Sequence, residues 1–312
     1  MDRETPIIRP TVARIDLSAF RDNLRSIRAR LPESSRLIAV LKADGYGHGA
    51  RPLAEVCQRE DVAMLAVAIL EEALSLRRYG IDLPILVLED VPEDRIDLAM
   101  EQSITLAVPS PEALSAVSSW SRRNRREIGI HLQLDSGMNR MGLVDADLEE
   151  AIETLRESPE VRVDAIFSHY ANASDPDDAL NGVQRQRFER MSRSLREAGV
   201  EPAIRHFANS AATVSGQVSP GDWVRAGISL YGGEPLDAGD TRLRQVMQWT
   251  TRIARLKVVE MGEIVGYSGT WTAGRRSMIA TLPVGYADGY DRLLSSNAEV
   301  LVRGKRAPVV GR

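Results

Sequence analysis

The chain has 312 residues, of which 43% are hydrophobic, and its formal net charge is −4. This length allows one large domain of about 250 residues and a smaller one, and the modest charge gives no electrostatic reason to expect nucleic acid or an anionic membrane as a partner. The single cysteine, Cys57, excludes an intrachain disulfide and a multi-cysteine metal site. Because no run approaches the roughly 18 apolar residues of a membrane helix, we predict a soluble, cytoplasmic protein.

Helix-like and strand-like patterns alternate from residue 16 onward. Between Leu17 and Leu31 the apolar residues recur at helical spacing, and Asp16 or Ser18 can cap this helix. Later helical patterns include Glu71–Arg78, Pro111–Arg122, Asp147–Arg156 and Val183–Ala198. The apolar runs between the helices are Leu37–Leu41, Met64–Ile69, Ile85–Leu88, Thr105–Val108, Ile128–Leu134, Val163–Phe167, Ala203–Phe207 and Val224–Leu230.

This alternation predicts an α/β fold in which the strands are parallel and connected by right-handed crossovers. About eight strand–helix units fit a closed (β/α)8 barrel of the TIM type, which we assign to residues 12–238. An open doubly wound sheet is the alternative, and it usually carries a G-x-G-x-x-G turn after its first strand. The first strand here runs into Lys42-Ala-Asp-Gly-Tyr-Gly-His-Gly49, which lacks that spacing.

The helical period stops after about residue 240. The segments Thr250–Val259, Ser277–Pro283 and Ala298–Val302 are rich in β-branched residues and separated by glycine, which predicts an antiparallel β domain over residues 239–312, joined by the N-terminal segment 1–11. The chain stops soon after a predicted hairpin at Arg303-Gly-Lys305. Since a sheet rarely ends in an uncovered apolar strand, we expect this domain to be incomplete at its C-terminus.

Polar residues collect where the predicted barrel strands end, which is where the active sites of such barrels lie. A lysine that closes an apolar strand is partly withdrawn from water, which favours a nucleophilic amine. Hydroxyl and backbone N–H groups near the last two strands suit a phosphate. Pyridoxal phosphate has both an aldehyde and a phosphate, so it fits both features. The residues concerned are Lys42, Tyr46, Arg140, His169, Asn209, Ser210, Arg225, Gly227 and Ile228.

Seven motifs resemble those of alanine racemases and occur in the order found in that family. The first of them, around Lys42, is similar to the family's cofactor-lysine signature. The motifs are Ala39-Val-Leu-Lys-Ala-Asp-Gly-Tyr-Gly-His-Gly49, Leu134-Asp-Ser-Gly-Met-Asn-Arg-Met-Gly142, Ser168-His-Tyr170, Ala208-Asn-Ser-Ala-Ala-Thr213, Val224-Arg-Ala-Gly-Ile228, Val265-Gly-Tyr-Ser-Gly-Thr-Trp271 and Pro283-Val-Gly-Tyr-Ala-Asp-Gly289.

The resemblance implies a homodimer whose active sites take residues from both subunits, with pyridoxal phosphate as the cofactor. It implies that Lys42 holds the cofactor aldehyde and is the base for the D-substrate, and that Tyr267 of the partner subunit is the base for the L-substrate. His169 resembles the residue that hydrogen-bonds this tyrosine. Arg225 resembles the arginine at the pyridine nitrogen, and Arg140 resembles the one that reaches the phenolic oxygen and the substrate carboxylate.

Further residues acquire roles through the same resemblance. Tyr46, Ser210, Gly227 and Ile228 are similar to the phosphate cradle, which Asn209 adjoins, and Tyr286 and Arg292 are similar to residues that line the substrate entry. One position departs from the family pattern. Many members have a modified, negatively charged lysine seven residues before the arginine, where this chain has Gln133. Gln133 can hydrogen-bond Arg140 but brings no charge, so another partner is left open for that arginine.

The predicted function is therefore racemisation of L- and D-alanine by a two-base mechanism, supplying D-alanine for peptidoglycan. A racemase for serine or lysine and a pyridoxal-phosphate decarboxylase remain alternatives, although decarboxylases of this fold usually place an acid where Arg225 stands. A barrel that only binds the cofactor is a third alternative, but such proteins commonly lack a β domain. No metal is expected, because no metal-ligand spacing joins His48, His131 and His206, which we interpret as structural.

Overall fold

The computed structural model describes residues 9–233 and 243–311, which divide into two compact units. One unit lies within Asp16–Val246, and the other combines residues of Met1–Ile15 with residues of Met247–Arg312. The domain boundaries predicted from the sequence are at residues 12 and 238, and residue 238 lies outside the described residues. Among the described residues, no helix is long and apolar enough to cross a membrane.

Eight parallel strands of the described residues form one sheet in the unit within Asp16–Val246. The strand that precedes them in the chain, β1 (Val12–Ile15), belongs to the other unit. The eight strands are β2 (Leu37–Val40), β3 (Met64–Val67), β4 (Ile85–Val87), β5 (Ile104–Val108), β6 (Ile128–Gln133), β7 (Val161–Phe167), β8 (Ile204–His206) and β9 (Val224–Ala226). Each strand from β2 to β7 pairs with the next in the chain, β9 pairs with β2, and β8 and β9 are the two ends of the sheet.

Backbone hydrogen bonds between the ends of this sheet nearly close it into a barrel. Trp223 N donates to Arg205 O at 2.7 Å, and Arg225 N donates to Ala208 O at 2.9 Å. Side chains of alternate residues fill the interior, because successive side chains of a strand point to opposite faces. The buried cluster is formed by Ile38, Val40, Met64, Ala66, Leu86, Ala107 and Phe167. The predicted (β/α)8 barrel is thereby confirmed.

Helices follow most of the strands. The first, α1 (Leu17–Arg28), begins at Asp16, whose side chain accepts hydrogen bonds from the backbone N–H groups of Ser18 and Ala19. The others are α2 (Lys42–Gly47), whose inner residues are left-handed, and α3 (Ala50–Arg59), α4 (Leu70–Arg78), α5 (Ile96–Glu101), α6 (Pro111–Asn124), α7 (Leu148–Arg156), α8 (Ala179–Glu197) and α9 (Ser210–Val214).

The last predicted barrel run is shorter in the structure than in the sequence. The run Val224–Leu230 leaves the strand after Ala226 and enters a 3₁₀ helix at Ile228–Tyr231. The intervening Gly227 has φ −117° and ψ −98°, which no strand adopts. Leu230 and Tyr231, which are 0% and 3% exposed, are therefore buried in a turn rather than in a strand, whereas Ile228 is 43% exposed.

The second unit contains antiparallel pairs, as predicted. Within its described residues, β1 pairs with β10 (Met247–Thr250), β11 (Arg255–Val259) with β14 (Ser277–Thr281), β12 (Ile264–Val265) with β13 (Trp271–Thr272), and β15 (Glu299–Val302) with β16 (Lys305–Pro308). The predicted segment Thr250–Val259 is divided between β10 and β11 because these strands pair with different partners. The hairpin predicted at Arg303-Gly-Lys305 joins β15 to β16.

One buried amide fastens the first helix to the chain that follows β9. Asn23 is 2% exposed, and its Nδ2 donates to Leu230 O at 3.1 Å and to Arg244 O at 2.7 Å. Its Oδ1 accepts from Arg244 N at 2.7 Å. This side chain thus satisfies three backbone groups at once, and they would be left unpaired without it.

We expect Asn23→Leu to lower the free energy of unfolding by about 2–4 kcal/mol, because it leaves buried backbone groups unsatisfied. Urea unfolding measures this. The matched control is Asn124→Ala, which removes an exposed amide that donates to the Trp120 carbonyl and should change the free energy by less than about 0.5 kcal/mol. Equal losses in the two variants would contradict the fastening role of Asn23.

Candidate active site

The chain leaves β2 through a left-handed turn that begins at Lys42. Ala43, Asp44, Gly45 and Tyr46 have φ values of 53°, 51°, 62° and 52°. Left-handed geometry costs roughly 1–2 kcal/mol for each residue with a side chain. At Gly45 a Cβ would lie 2.7 Å from Leu53 Cδ1, so any other residue would have to displace this buried leucine side chain. Lys42 is therefore held at the strand end by backbone that a regular helix could not provide.

A cavity of about 420 Å³ opens at the carboxyl ends of the barrel strands. Ten of the sequence-predicted site residues line it: Lys42, Tyr46, Gln133, Arg140, His169, Asn209, Ser210, Arg225, Gly227 and Ile228. Seven further residues line the cavity but were not predicted as site residues: Val40, Ala68, Leu88, Glu89, Met141, Phe167 and Ala211. Val40, Met141 and Ala211 lie within the family-like motifs, whereas the signal of the other four is their position at or just after a strand end.

Arg225 is the most connected side chain of this cavity. It is 4% exposed. One terminal nitrogen donates to His206 Nδ1 at 2.6 Å and to the His206 carbonyl at 2.8 Å. The other donates to the Ser168 carbonyl at 2.6 Å and to His169 Nδ1 at 2.8 Å. Within residues 9–233 and 243–311 its Nε has no acceptor, so this donor remains for a ligand.

These contacts fix the tautomers of the neighbouring histidines, because a guanidinium only donates. His169 Nδ1 and His206 Nδ1 must each accept, so both rings are neutral and carry their proton on Nε2. His206 Nε2 lies 3.0 Å from His131 Nδ1 and donates to it. A directed chain of hydrogen bonds thus runs from Arg225 into the barrel, and His169 keeps its Nε2–H as a donor for another group.

Burial supports the neutral state of these rings. Burial lowers the pKa of His169 to about 3, with further lowering by Arg225, Arg140 and Lys42. Burial lowers the pKa of His131 to about 4, which Asp164 partly opposes. Burial is also the main cause that holds the pKa of His206 far below its usual range, and the charge of Arg225 lowers it further. The sequence-based interpretation of His131 and His206 as structural residues does not include the hydrogen bonds that connect both of them to Arg225.

A second group of contacts forms a polar cradle between α9 and β9. Ser210 Oγ accepts from Gly227 N at 2.9 Å and from Ser229 Oγ at 3.1 Å. A Cβ on residue 227 would lie 2.8 Å from the Tyr46 hydroxyl, so glycine lets the backbone approach that phenol. Asn209 Oδ1 caps α9 by accepting from Ala212 N. Backbone N–H groups and hydroxyls are therefore gathered at one end of the cavity.

The lining charges favour an anionic ligand. Lys42, Arg140 and Arg225 line the cavity together with a single acid among the described lining residues, Glu89. Arg140 is exposed, and Gln133 Nε2 donates to the carbonyl of Met141 at 3.2 Å rather than to the Arg140 side chain. Gln133 therefore acts on the backbone beside Arg140.

The remaining candidate residues belong to the second unit. Tyr267 begins a short 3₁₀ turn, Tyr267–Gly269, and its side chain is 80% exposed. Tyr286 is 76% exposed, and Arg292 is exposed as well. Such exposure of two tyrosines leaves both phenols accessible on the surface of this unit.

Comparison with known protein families finds two family models that match the chain. The family model for the alanine racemase N-terminal domain matches residues 15–235, and that for the alanine racemase C-terminal domain matches residues 246–312. Alanine racemase of Symbiobacterium thermophilum is 41% identical over 306 residues, which are 97% of this chain and 81% of the relative.

Solved structures agree with this placement. Alanine racemase of Clostridium difficile 630 superposes with a TM-score of 0.90 at 36% identity, covering 98% of this chain and 81% of that one. Alanine racemase from Bartonella henselae with covalently bound pyridoxal phosphate has a TM-score of 0.88 at 27% identity, covering 97% and 83%. The chain therefore belongs to the alanine racemase family, which consists of amino-acid racemases and hence of isomerases. The resemblance drawn from the motifs is confirmed.

The buried histidines predict a pH-dependent stability. Their folded pKa values lie below the ordinary 6.5, so the unfolded chain takes up protons that the folded chain refuses as the pH falls below that value. We expect the free energy of unfolding to fall with pH from about 6.5 downward. His131→Gln should reduce this slope by up to about 1.4 kcal/mol per pH unit. Urea unfolding at successive pH values tests this.

The comparison has an internal control. Above about pH 7.5 the histidines are neutral in both the folded and the unfolded chain. The free energies of unfolding of the wild type and of His131→Gln should therefore change with pH in parallel there, whatever their absolute values. Identical slopes below pH 6.5 as well would mean that His131 takes up its proton equally in both states.

Proposed function

We propose that the chain interconverts L- and D-alanine with pyridoxal phosphate bound in the barrel cavity. The observation that carries this proposal is the convergence of Lys42, His169 and a buried Arg225 on one cavity. These residue types provide an amine for an aldehyde, a donor for a ring nitrogen and a neutral histidine that is hydrogen-bonded to this donor.

The cavity residues fit the proposed cofactor. Lys42 supplies the amine that attaches the aldehyde, and it is the lysine of the three in the chain that lines the cavity; the others, Lys257 and Lys305, are exposed on strands of the second unit. The phosphate fits the cradle of Tyr46, Ser210 and the backbone beside Gly227, with Asn209 and Ile228 next to it. Arg225 Nε is the donor left for the ring nitrogen.

When bound, pyridoxal phosphate supplies an electron-withdrawing ring that stabilises the electron pair left at the substrate α-carbon after proton removal. Arg225 tempers this effect, because a guanidinium donates a hydrogen bond but does not transfer its proton to the ring nitrogen. We expect this restraint to suppress side reactions such as transamination.

Racemisation requires proton removal on one face of the α-carbon and proton return on the other, so two bases on opposite faces are needed. We propose that Lys42 Nζ serves the face of the D-substrate and that Tyr267 of the partner subunit serves the face of the L-substrate. The free Nε2–H of His169 would hold the phenolic oxygen of that tyrosine. The accessible phenol of Tyr267 supports its use by a second copy in a homodimer.

The substrate is bound through its carboxylate in this proposal. Arg140 is the exposed cation that lines the cavity and supplies the counter-charge. Gln133 holds the neighbouring backbone, and Tyr286 and Arg292 line the entry of a small amino acid. The D-alanine product would serve peptidoglycan synthesis in the cytoplasm.

Isotope exchange tests the proposal directly. In deuterium oxide, the protein loaded with pyridoxal phosphate should exchange the α-hydrogen of both enantiomers of alanine and convert each into the other. Cofactor uptake without exchange would favour a protein that only binds pyridoxal phosphate. Carbon dioxide release would indicate a decarboxylase.

Lys42→Ala should abolish covalent attachment of the cofactor and lower racemisation by about 10²–10⁴-fold, because it removes both the attachment point and one base. Borohydride reduction followed by peptide mass spectrometry measures the attachment. Lys257→Ala is the matched control and should keep full labelling. Unchanged labelling of the Lys42→Ala protein would refute the assignment.

Tyr267→Phe should slow α-hydrogen exchange of L-alanine by about 10²–10⁴-fold while exchange of D-alanine continues, because only one of the two bases is lost. Proton NMR in deuterium oxide follows both reactions. Tyr79→Phe, which alters an exposed tyrosine of the barrel unit, should affect neither enantiomer. Equal slowing of both enantiomers in the Tyr267→Phe protein would argue against a two-base mechanism.

A further inference from the structure

We propose that Glu72 is a positioning residue for Lys42, and that it acts by clamping the left-handed turn that follows this lysine to the rim segment after β3. The inference rests on the proposed function for its meaning in catalysis. The clamp itself is a property of the chain without any ligand.

The clamp consists of one carboxylate whose two oxygens accept hydrogen bonds from two different segments of backbone. Glu72 Oε1 accepts from Ala43 N at 2.6 Å. Glu72 Oε2 accepts from Ala68 N at 2.8 Å and, at 3.5 Å, from Ile69 N. Ala68 itself lines the cavity. A single side chain of α4 thus joins the segments that leave two neighbouring barrel strands.

The contact with Ala43 N controls the orientation of Lys42. A peptide unit is planar, so the N–H of Ala43 is rigidly attached to the carbonyl carbon of Lys42. Holding this N–H fixes the ψ angle of Lys42, and with it the frame from which the amine extends into the cavity. A small rotation there would displace the reacting amine, and displacements of about 1 Å are costly in catalysis.

The turn needs such a contact because its conformation is unfavourable by itself. Left-handed dihedrals at Ala43, Asp44 and Tyr46 oppose the preference of residues with a Cβ. Asp44 Oδ1 accepts from Ala50 N at 2.7 Å and supports the far end of the turn. Glu72 supports the end beside Lys42, and among the described residues Ala43 N has no other acceptor.

Capping of α4 is the alternative role of Glu72, since a glutamate at the third helical position often binds the N–H groups before the helix. The contacts of Oε2 fit that role. The contact of Oε1 does not, because Ala43 lies 29 residues earlier in a different element. The experiment must therefore separate the effect on the turn from the effect on the helix.

Glu72→Gln is the nearly isosteric test and Glu72→Ala the complete removal. A carboxylate accepts with both oxygens, whereas an amide has one acceptor and one donor, so glutamine must turn an NH₂ group toward one of the N–H groups. Glu71→Gln is the matched control, because Glu71 is an exposed acid in the same first helical turn and has the same interaction with the helix dipole.

Hydrogen exchange of the full-length protein, with and without pyridoxal phosphate, is the primary measurement. We expect both Glu72 variants to accelerate amide exchange across Lys42–Gly47 by about fivefold or more, whereas Glu71→Gln leaves it at the wild-type rate. In steady-state kinetics, kcat should fall by a similar factor and KM for alanine should change by less than about twofold, because carboxylate binding is not altered.

Ala43→Gly in the Glu72→Ala background provides a rescue test. Glycine adopts left-handed dihedrals without a steric penalty, so it should restore part of the kcat lost in Glu72→Ala if the turn is what Glu72 supports. A defect in helix capping would not respond to a substitution at residue 43.

Three results would overturn the proposal: unchanged exchange across Lys42–Gly47 in the Glu72 variants, equal acceleration in Glu71→Gln, or absence of rescue by Ala43→Gly. Failure of the proposed function has a different signature. A wild-type protein that takes up no pyridoxal phosphate would refute that function, while the exchange rates without cofactor would still decide whether Glu72 holds the turn.

Discussion

The guanidinium of Arg225 carries a permanent charge into the interior of the barrel, and the surrounding structure must supply acceptors for it. Removing such a charge from water is costly unless it is hydrogen-bonded. Carbonyls at the ends of β7 and β8 and the Nδ1 atoms of two histidines meet this demand. Burial and the neighbouring Arg140 lower the pKa of Arg225, yet it stays protonated near neutral pH. The tautomers of His169 and His206 depend on this one cation.

The rim of the cavity is organised differently from its floor. Irregular backbone predominates there, in the left-handed turn after Lys42 and in the break of β9 at Gly227. Each irregularity turns peptide N–H groups in directions that regular strand or helix geometry would not give them. Carboxylates and hydroxyls then hold this backbone, as Glu72 does at Ala43 and Ser210 does at Gly227. The barrel interior is thus built from regular strands, whereas the rim is built from irregular backbone held by side chains.

Much of this arrangement could be predicted from the sequence because it follows from periodicity and chain order. Alternating apolar runs and helical patterns located the barrel strands, and the residues after them, such as Lys42 and His169, line one cavity. Side-chain contacts across the barrel could not be predicted in this way. His131 and His206 lie inside strands, where the pattern only indicates burial, and their contact joins strands β6 and β8. The handedness of the turn after Lys42 and the part played by Glu72 depend on contacts between separate elements, which spacing does not reveal.

The order of protons along the histidines has a consequence for proton traffic. Since Arg225 donates to both Nδ1 atoms, each ring offers a proton only from its far side, and the hydrogen bonds all point away from the cation. His169 Nε2 already carries a proton and its Nδ1 accepts from Arg225, so this ring has no free nitrogen to take up a further proton. The histidines of the barrel interior therefore do not form a path along which protons can be relayed. In the proposed reaction, protons would therefore exchange with solvent on the side of the cavity that Lys42 and Arg140 line.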